Sequence, residues 1–465
     1  MSRIKYKNFI LSVVSLFLVA AFIFSGGDFH PKIKLQRIEI VSRERRYSFR
    51  RENATSVSNS IKLLEKDFQD RFQQLVENLQ EDDESYKSLL KTTLDDYVTQ
   101  KTCTPQQNII FLKTHKTGSS TLTNILNRYA DINNLRMLIP SGKQNRFDWP
   151  NKFTPFSADV RLLGPETKAN MLVNHARFSK ESMQQMISKP TKFITILRNP
   201  VTQFDSLFHY EGFDKLLSIQ RKYRAMDIFL SSPKHYYQRL LRKRETPEAL
   251  PLLRNSMLYD LGFTFHERPR GDDSDARVGK AIQKIDETFD MVLLMDYFDE
   301  SLVLLMNELC WGFEDIIYMK HNVRAKRKNV STKTADRIRK WNSADWELYK
   351  HFNKTFWNKI QKYGSAKFAK DLREFRERNN ELVKNCQIKS EDTLPPFSTV
   401  KQYKLGGNVR QEYQSLCEKI LLSEVEYLQR FRDQYELEFK KSSKNDSSRV
   451  QREILSRMQN LVPEF

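Results

Sequence analysis

One short loop of this chain concentrates lysine, glycine and hydroxyl-bearing residues between an apolar run and a helical pattern. The run Ile109–Leu112 predicts a buried strand, and residues 122–129 carry apolar side chains at helical spacing. The N-terminus of a helix presents unpaired backbone N–H groups and the positive end of its dipole to an anion. The sequence therefore predicts a phosphate-binding loop, whose candidate ligands are Lys113, Lys116, Thr117, Gly118, Ser119, Ser120 and Thr121.

The loop is not a Walker A motif. That motif, G-x-x-x-x-G-K-[ST], places its lysine directly after the second glycine. Here Lys116 precedes the loop's only glycine, Gly118, by two positions, which disfavours a nucleotide triphosphatase. The order Lys-Thr-Gly-Ser-Ser-Thr instead resembles the loop that holds the 5′-phosphosulfate in sulfotransferases that use 3′-phosphoadenosine 5′-phosphosulfate (PAPS). An ordinary polar turn between a strand and a helix is the alternative interpretation.

A second candidate phosphate site follows another apolar run, residues 193–197. Arg198 stands at the end of this predicted strand, Pro200 suits the first turn of a helix, and Ser206 lies farther along that helix. A guanidinium and a hydroxyl so placed can hold a second phosphate. The spacing Arg-x-Pro-x₃-Phe-x-Ser-x-Phe resembles the 3′-phosphate motif of the same sulfotransferases. The alternative is that Arg198 is a surface ion-pair partner.

Polar residues also follow two further apolar runs. Residues 171–173 lead into His175, and residues 291–295 lead into Asp296. Helix-forming segments separate the four predicted strands, which favours an α/β fold with a parallel sheet. In such a sheet the carboxyl ends of the strands form the edge that binds ligands. The sequence thus predicts that both phosphate sites, His175 and Asp296 gather at that edge.

Longer matches narrow the resemblance to the galactose-3-O-sulfotransferases. They extend from about Asn108 to about Tyr363, and the matching segments are residues 112–121, 174–178, 299–305, 309–311 and 348–357. The resemblance implies a P-loop-like parallel sheet flanked by helices, in a type II membrane enzyme of the Golgi. It also implies sulfate transfer from PAPS to the 3-hydroxyl of a β-galactoside, on a glycolipid of the galactosylceramide type or on a glycoprotein.

Sulfate transfer of this kind needs a general base for the sugar hydroxyl and a cation near the leaving oxygen. Lys116 matches the lysine of the sulfotransferase loop and is the candidate cation. His175 is the candidate base, because related carbohydrate sulfotransferases place a basic histidine between the two phosphate motifs and imidazole titrates near neutral pH. If His175 only forms hydrogen bonds, His115 and Asp296 are the next candidates. No metal-binding spacing occurs, and no metal is expected.

The composition is basic, with 78 Lys and Arg against 58 Asp and Glu and a net charge of +20. Such a charge fits nucleic acid, an anionic membrane surface or an anionic cosubstrate. The basic residues are spread along the chain, and no RNA-binding or zinc-finger signature occurs. Nucleic acid is therefore not expected as a partner.

An apolar run of 16 residues, Phe9 to Phe24, follows three basic residues near the N-terminus. It predicts an uncleaved signal anchor, and a cleaved signal peptide is the alternative. The family resemblance favours a luminal catalytic domain. Luminal glycosylation sequons support it, at Asn53, Asn329, Asn353 and Asn445. A luminal domain permits one or two disulfides among the four cysteines, whose pairing the sequence leaves open.

The expected organisation has six parts: a cytoplasmic tail (1–7), a transmembrane anchor (8–25), a stem (26–102), a luminal sulfotransferase domain (103–380), a C-terminal helical extension (381–440) and a polar tail (441–465). In the stem, apolar residues from Ile61 to Leu79 recur at helical spacing. This helix either forms a coiled coil that makes a homodimer or packs on the catalytic domain. A further helix is predicted over residues 411–440, and the polar residues from Lys440 to Ser448 are predicted to be disordered.

Two other functions stay open. A related sulfotransferase can act on another sugar position, such as the 2-hydroxyl of a uronic acid in a glycosaminoglycan. A membrane-tethered protein that binds glycans without catalysis is the other alternative, against which Lys116, His175, Arg198 and Ser206 argue. The sequence does not separate a lipid acceptor from a glycoprotein acceptor.

Overall fold

The computed structural model describes residues 103–164, 168–220, 224–242, 248–264, 275–319, 330–390 and 403–445. The predicted anchor, the stem helix and the sequons at Asn53 and Asn329 lie outside these residues. Within these ranges, no helix combines the length and the apolar composition that crossing a bilayer requires.

A parallel sheet of four strands lies at the centre of the fold. The strands in the described residues are β1 (Ile109–Leu112), β2 (Arg146–Lys152), β3 (Met171–Leu172), β4 (His175–Arg177), β5 (Lys192–Leu197), β6 (Met291–Leu294), β7 (Lys389–Ser390) and β8 (Tyr403–Lys404). The central sheet has the order β3-β1-β5-β6, and every pair in it is parallel. β1 and β6 are wholly buried, which explains why continuous apolar runs mark them in the sequence. The predicted α/β fold with a parallel sheet is confirmed.

Helices flank this sheet and continue beyond it. They are α1 (Ser119–Asn133), α2 (Lys180–Met186), α3 (Pro200–Tyr210), α4 (Phe213–Leu216), α5 (Ala225–Ser231), α6 (Pro233–Leu241), α7 (Ser256–Asp260), α8 (Asp275–Thr288), α9 (Phe298–Leu309), α10 (Phe313–Ile316), α11 (Thr332–Trp341), α12 (Ser343–Tyr363), α13 (Ser365–Asn385), α14 (Gln411–Leu421) and α15 (Glu424–Asn445). α1 follows β1 and α3 follows β5, as both phosphate-site patterns predict. Because β1 and β5 are neighbours, the two segments leave the same edge of the sheet.

The segment around His175 differs from the prediction. β3 ends at Leu172, and His175 begins a second strand, β4, which pairs in parallel with β2. Between the two strands the Asn174 side chain donates a hydrogen bond to the carbonyl of Asn145, at 3.3 Å. The chain thus passes from the central sheet to a small second sheet, and His175 lies at that crossing rather than at the end of a longer β3.

The predicted single helix over 411–440 is wrong, because two helices occupy this region. α14 ends at Leu421, and Leu422 adopts an extended conformation with φ −56° and ψ 130°. A capping box then starts α15: the backbone N–H of Ser423 donates to Glu426, and the backbone N–H of Glu426 donates to the Ser423 hydroxyl. α15 continues to Asn445, so the predicted disorder from Lys440 is also wrong as far as Asn445.

The two C-terminal helices pack directly on the unit formed by β1 and α1. Asn124 of α1 donates hydrogen bonds to the carbonyls of Lys419 and Leu422, at 3.1 and 2.9 Å. Farther along α15, the hydroxyl of Tyr435 accepts a hydrogen bond from the backbone of Met137, at 2.9 Å. These contacts hold the start of α15 close to the sheet edge that carries the predicted phosphate loop.

All four cysteines are paired. Cys103 bonds to Cys310 at the end of α9, and Cys386 bonds to Cys417 of α14. The second disulfide ties α14 to the end of α13, and so fixes the base of the C-terminal helix pair. Of the three full pairings that the sequence left open, the structure adopts this one.

Candidate active site

The loop after β1 folds around its own hydroxyl groups. The side chains of Thr117 and Ser119 both donate to the carbonyl of Thr114, at 3.1 and 2.8 Å. Lys116 and Gly118 have left-handed backbone conformations, with φ of 58° and 80°. The left-handed conformations at Lys116 and Gly118 bring the loop across the N-terminus of α1. The first turn of α1 carries no acidic residue. The positive end of the α1 dipole therefore faces the loop, as an anion site requires.

Arg198 joins the two predicted phosphate motifs. Its side chain is 7% exposed, and its guanidinium donates to the carbonyl of Lys116 at 3.0 Å and to the hydroxyl of Thr202 at 2.9 Å. A buried arginine thus connects the end of β5 to the loop after β1. This contact places a guanidinium beside the loop lysine, at the edge where a phosphate would bind.

One face of α3 continues this surface. Thr202, Ser206 and Tyr210 are spaced four residues apart, so they lie on the same side of the helix. The ammonium of Lys116 lies 3.6 Å from the centroid of the Tyr210 ring, a cation–π contact. Because Tyr210 remains 57% exposed, this contact keeps the Lys116 ammonium near the open side of the site. Ser206 is half-buried between the Thr202 and Tyr210 positions.

His115 is oriented by a buried carboxylate. Asp260, at the end of α7, is fully buried and accepts hydrogen bonds from the backbone N–H of His115 and from the indole of Trp149. The Nδ1 atom of His115 lies 2.8 Å from the same carboxylate. An ionised carboxylate only accepts hydrogen bonds, so Nδ1 carries a proton, and in the neutral form of the ring Nε2 is the nitrogen with the lone pair.

His175 stacks on His115. The two ring centroids are 4.3 Å apart, with 23° between the ring planes. Burial lowers the pKa of the His175 imidazole well below its ordinary value, and repulsion from a protonated His115 and from the Lys113 ammonium acts in the same direction. Its Nδ1 atom is buried and has no hydrogen-bond partner among the described residues. The lowered pKa favours the neutral form of the His175 imidazole.

Lys113, one of the predicted phosphate ligands, is paired with a carboxylate of the C-terminal helix. Its side chain is 2% exposed, and its ammonium forms an ion pair with Glu424, the first residue of α15. The other carboxylate oxygen of Glu424 accepts a hydrogen bond from Asn174, at 3.3 Å. Lys113 also donates to Ser120 at 3.5 Å, so it bridges the loop and the C-terminal helix.

Sequence reasoning missed several residues that complete the site. Gln203 donates to the carbonyl of His115 at 2.9 Å, and its position inside the Arg198 motif was a usable signal. Burial raises the pKa of the Glu211 carboxyl, while the positive charges of His115 and Lys116 act in the opposite direction. Asp260 is 145 positions from His115 and gave no local signal.

Asp296, the other candidate base, has a different role. Its carboxylate accepts a hydrogen bond from the backbone N–H of Asn199, at 2.8 Å. Asn199 in turn caps the start of α3 through its own side chain, which accepts from Val201 at 3.0 Å. Asp296 thus fixes the turn that presents Arg198.

Two of the predicted glycosylation sequons, and the question of a metal site, fall within the described residues. Asn353 lies inside α12, where its Oδ1 atom is buried without a hydrogen-bond partner among the described residues. Asn445 is the last residue of α15. In the described part of the chain, no group of three or more His, Cys, Asp or Glu is placed to hold a metal ion. Glycosylation at both sequons and independence from metal stay predictions.

The site brings together cations and imidazoles that can take a proton. Lys116, Arg198 and the start of α1 suit an anionic donor, and the His115–His175 pair suits a hydroxyl acceptor. With the parallel sheet, these features define a P-loop-like enzyme that transfers an anionic group.

Comparison with known proteins identifies the family. The sequence profile of the galactose-3-O-sulfotransferases matches residues 72–435. Galactosylceramide sulfotransferase from Homo sapiens is 34% identical over 347 residues, which cover 70% of this chain and 78% of that protein. Galactose-3-O-sulfotransferase 2 from Homo sapiens is 32% identical over 353 residues, covering 72% and 84%. Galactose-3-O-sulfotransferase 3 from Mus musculus is 33% identical over 304 residues, covering 64% and 67%.

The chain belongs to the galactose-3-O-sulfotransferase family, and it is a carbohydrate sulfotransferase of the galactose 3-O type. The family resemblance inferred from the loop and strand-end motifs is confirmed. The matched region contains every residue of the site described above.

Proposed function

We propose that this enzyme transfers sulfate from PAPS to the 3-hydroxyl of a terminal β-galactose. The observation that carries the proposal is the hydrogen bond from Arg198 to the carbonyl of Lys116, at 3.0 Å. Through it, the loop that would hold the 5′-phosphosulfate meets the strand end that would hold the 3′-phosphate. PAPS carries both groups, whereas a donor with a single phosphate would not need the second motif.

In the proposed reaction the sugar oxygen attacks sulfur and adenosine 3′,5′-bisphosphate leaves. The Lys116 ammonium and the N–H groups at the start of α1 stabilise the negative charge that develops on the leaving oxygen. Arg198 and Ser206 hold the 3′-phosphate, and Thr117, Ser119, Ser120 and Thr121 line the loop. The hydroxyl proton goes to one of the two stacked imidazoles, His115 or His175.

His175 is the proposed proton acceptor. Its buried Nδ1 lacks a protein partner, and its lowered pKa keeps the ring neutral at physiological pH. His115 is a second candidate, since the contact of its Nδ1 with Asp260 leaves Nε2 with a lone pair. The two rings are stacked, so either nitrogen lies in the same part of the site.

The galactose can be carried by either of two classes of acceptor, a glycolipid or a glycoprotein. Galactosylceramide sulfotransferase and galactose-3-O-sulfotransferase 2, both from Homo sapiens, are 34% and 32% identical to this chain. So small a difference does not favour a glycolipid over a glycoprotein, and we propose a galactose-terminated acceptor of either kind.

The test is sulfate transfer from labelled PAPS by the full-length chain onto a panel of acceptors. The panel contains galactosylceramide, galactose-terminated glycoprotein glycans and a glycosaminoglycan with uronic acid. We expect a product sulfated at the galactose 3-hydroxyl, identified by linkage analysis. Product on a uronic acid would establish the other sugar position. Glycan binding without any product would establish the non-catalytic alternative.

Replacing Arg198 should weaken binding of adenosine 3′,5′-bisphosphate. Loss of a hydrogen bond to a charged group costs about 1.5–3 kcal/mol, so Arg198→Ala should weaken binding by that free energy in calorimetry of the full-length chain. The matched control is Arg378→Ala, because Arg378 pairs with Glu314 and Glu374 on the surface. Unchanged affinity in a folded Arg198→Ala protein would show that the second phosphate is held elsewhere.

We further propose a type II protein of the Golgi membrane with its catalytic domain in the lumen. The apolar run near the N-terminus, the sequons and the two disulfides support this topology, because disulfides form in oxidising compartments. Homodimer formation through the stem helix belongs to the same proposal.

Endoglycosidase treatment should therefore increase the electrophoretic mobility of the expressed full-length chain. In sealed vesicles, external protease should leave the catalytic domain intact until detergent is added. Single Asn→Gln variants of the four sequons would show which of them carry a glycan. Unchanged mobility together with protease cleavage in intact vesicles would contradict the luminal topology.

A further inference from the structure

The C-terminal helix delivers a carboxylate to the site. Glu424 is the first residue of α15, and the capping box of Ser423 and Glu426 sets where that helix begins. The Glu424 side chain is 17% exposed, so it is largely enclosed but still reaches solvent. The proposed phosphate ligands and the two histidines carry no carboxylate, so Glu424 adds an anionic group to the site.

Strand order separates the two sides of the loop. In the sheet order β3-β1-β5-β6, the phosphate loop follows β1, Arg198 follows β5, and Asn174 follows β3. Glu424 contacts Lys113 and Asn174, so it lies between the ends of β1 and β3. Asn174 directly precedes His175. The carboxylate therefore stands at the Lys113 end of the loop, next to the strand end that carries His175, from where it can contact a hydroxyl acceptor bound at that imidazole.

Groups other than this carboxylate also anchor the C-terminal helix. α15 is held along its length by other groups: Tyr435 bonds to Met137, and Glu438 forms an ion pair with Arg136 at 2.7 Å. A buried ion pair is also weak evidence for a stabilising role, since desolvation of the two charges offsets their attraction. Docking of the helix therefore leaves room for a further role of Glu424.

We propose that Glu424 is a specificity-determining residue that binds hydroxyl groups of the acceptor sugar. Each carboxylate oxygen accepts more than one hydrogen bond, so the contacts with Lys113 and Asn174 leave capacity for sugar hydroxyls. These two contacts hold the carboxylate in a fixed orientation. A galactose bound through its neighbouring hydroxyls would then present its 3-hydroxyl to the His115–His175 pair. This inference rests on the proposed sulfation of galactose.

The test compares full-length wild-type enzyme, Glu424→Gln and the control Glu438→Gln on methyl β-galactoside and its 2-, 4- and 6-deoxy analogues. Glutamine keeps the size of the side chain but loses the charge and one acceptor oxygen. We expect Glu424→Gln to raise the acceptor KM by about tenfold or more, the effect of losing a hydrogen bond to a charged group. The PAPS KM should change less than about twofold, and Glu438→Gln should behave as wild type.

The deoxy analogues give the sharper readout. At least one deoxy analogue should be a poorer substrate than the parent sugar for wild-type enzyme, and this difference should disappear in Glu424→Gln. A purely structural role would leave the same deoxy penalties in both enzymes, which would overturn the inference. If Glu424→Gln does not fold, Glu424→Asp serves instead, because it retains the charge beside Lys113 but is one methylene shorter. Wild-type enzyme that sulfates no galactoside would overturn the proposed function and this inference together.

Discussion

Replacing Lys116 with alanine should lower kcat by about 10²–10³-fold, the usual effect of removing one group that stabilises a developing oxyanion. The ammonium lies at the mouth of the loop, 3.6 Å from the Tyr210 ring, beside the start of α1. Negative charge accumulates on the bridging oxygen only as the bond to sulfur breaks. The contribution of Lys116 is therefore largest in the transition state, and the PAPS KM should rise much less than kcat falls.

Steady-state kinetics with PAPS as the varied substrate measure both quantities. Tyr210→Phe is the matched control: it keeps the aromatic face over which the ammonium lies, so kcat should stay close to wild type. Tyr210→Ala removes that face and should lower kcat by less than Lys116→Ala does. A loss confined to the PAPS KM in Lys116→Ala would make Lys116 a ground-state phosphate ligand only.

The sequence predicted the parts of the site that are continuous along the chain. Strand, loop and helix around Lys116 occupy residues 109–133 without interruption, so apolar periodicity and the glycine in the loop defined them together. The segment around Arg198 is equally compact. Because both segments begin at strand ends of one parallel sheet, their meeting was also predictable from topology.

Partners from distant parts of the chain were not predictable in this way. Asp260 orients His115 across 145 positions, and Glu424 pairs with Lys113 across 311 positions. Single carboxylates in helical segments look like solvated surface until the fold brings them to the sheet edge. The start of α15 did carry a local signal, because Ser423-Glu-Val-Glu426 is a capping box. Reading it would have divided the predicted helix and placed Glu424 at its first turn.

The strand before His175 was predicted in place, but the second strand that starts at His175 was not. The apolar residues 171–173 fit one strand, but the chain leaves the central sheet after Leu172 to pair β4 with β2. Periodicity does not report which sheet a strand joins. The consequence matters for function, since the half-buried His175 stacks on His115 at this crossing.

Replacing His175 with asparagine should lower kcat by about 10²–10⁴-fold, the usual contribution of a general base. Asparagine retains hydrogen bonding but lacks a basic nitrogen. The affinity for adenosine 3′,5′-bisphosphate should barely change, because Lys116 and Arg198 are proposed to hold the phosphates. Calorimetry of the nucleotide and kcat from sulfate transfer would separate these two effects.

The pH profile identifies which of the stacked histidines takes the proton. A base is active when neutral, so kcat/KM falls as the pH drops through its pKa. Burial and the charges of His115 and Lys113 lower the pKa of His175, which places its acidic limb well below pH 6.5. His115→Asn removes one of those charges, so the limb should move to higher pH while His175 still works as the base. His175→Asn should abolish the limb. If His175→Asn keeps more than about a tenth of wild-type kcat, and His115→Asn and Asp260→Asn lose far more, the base is His115.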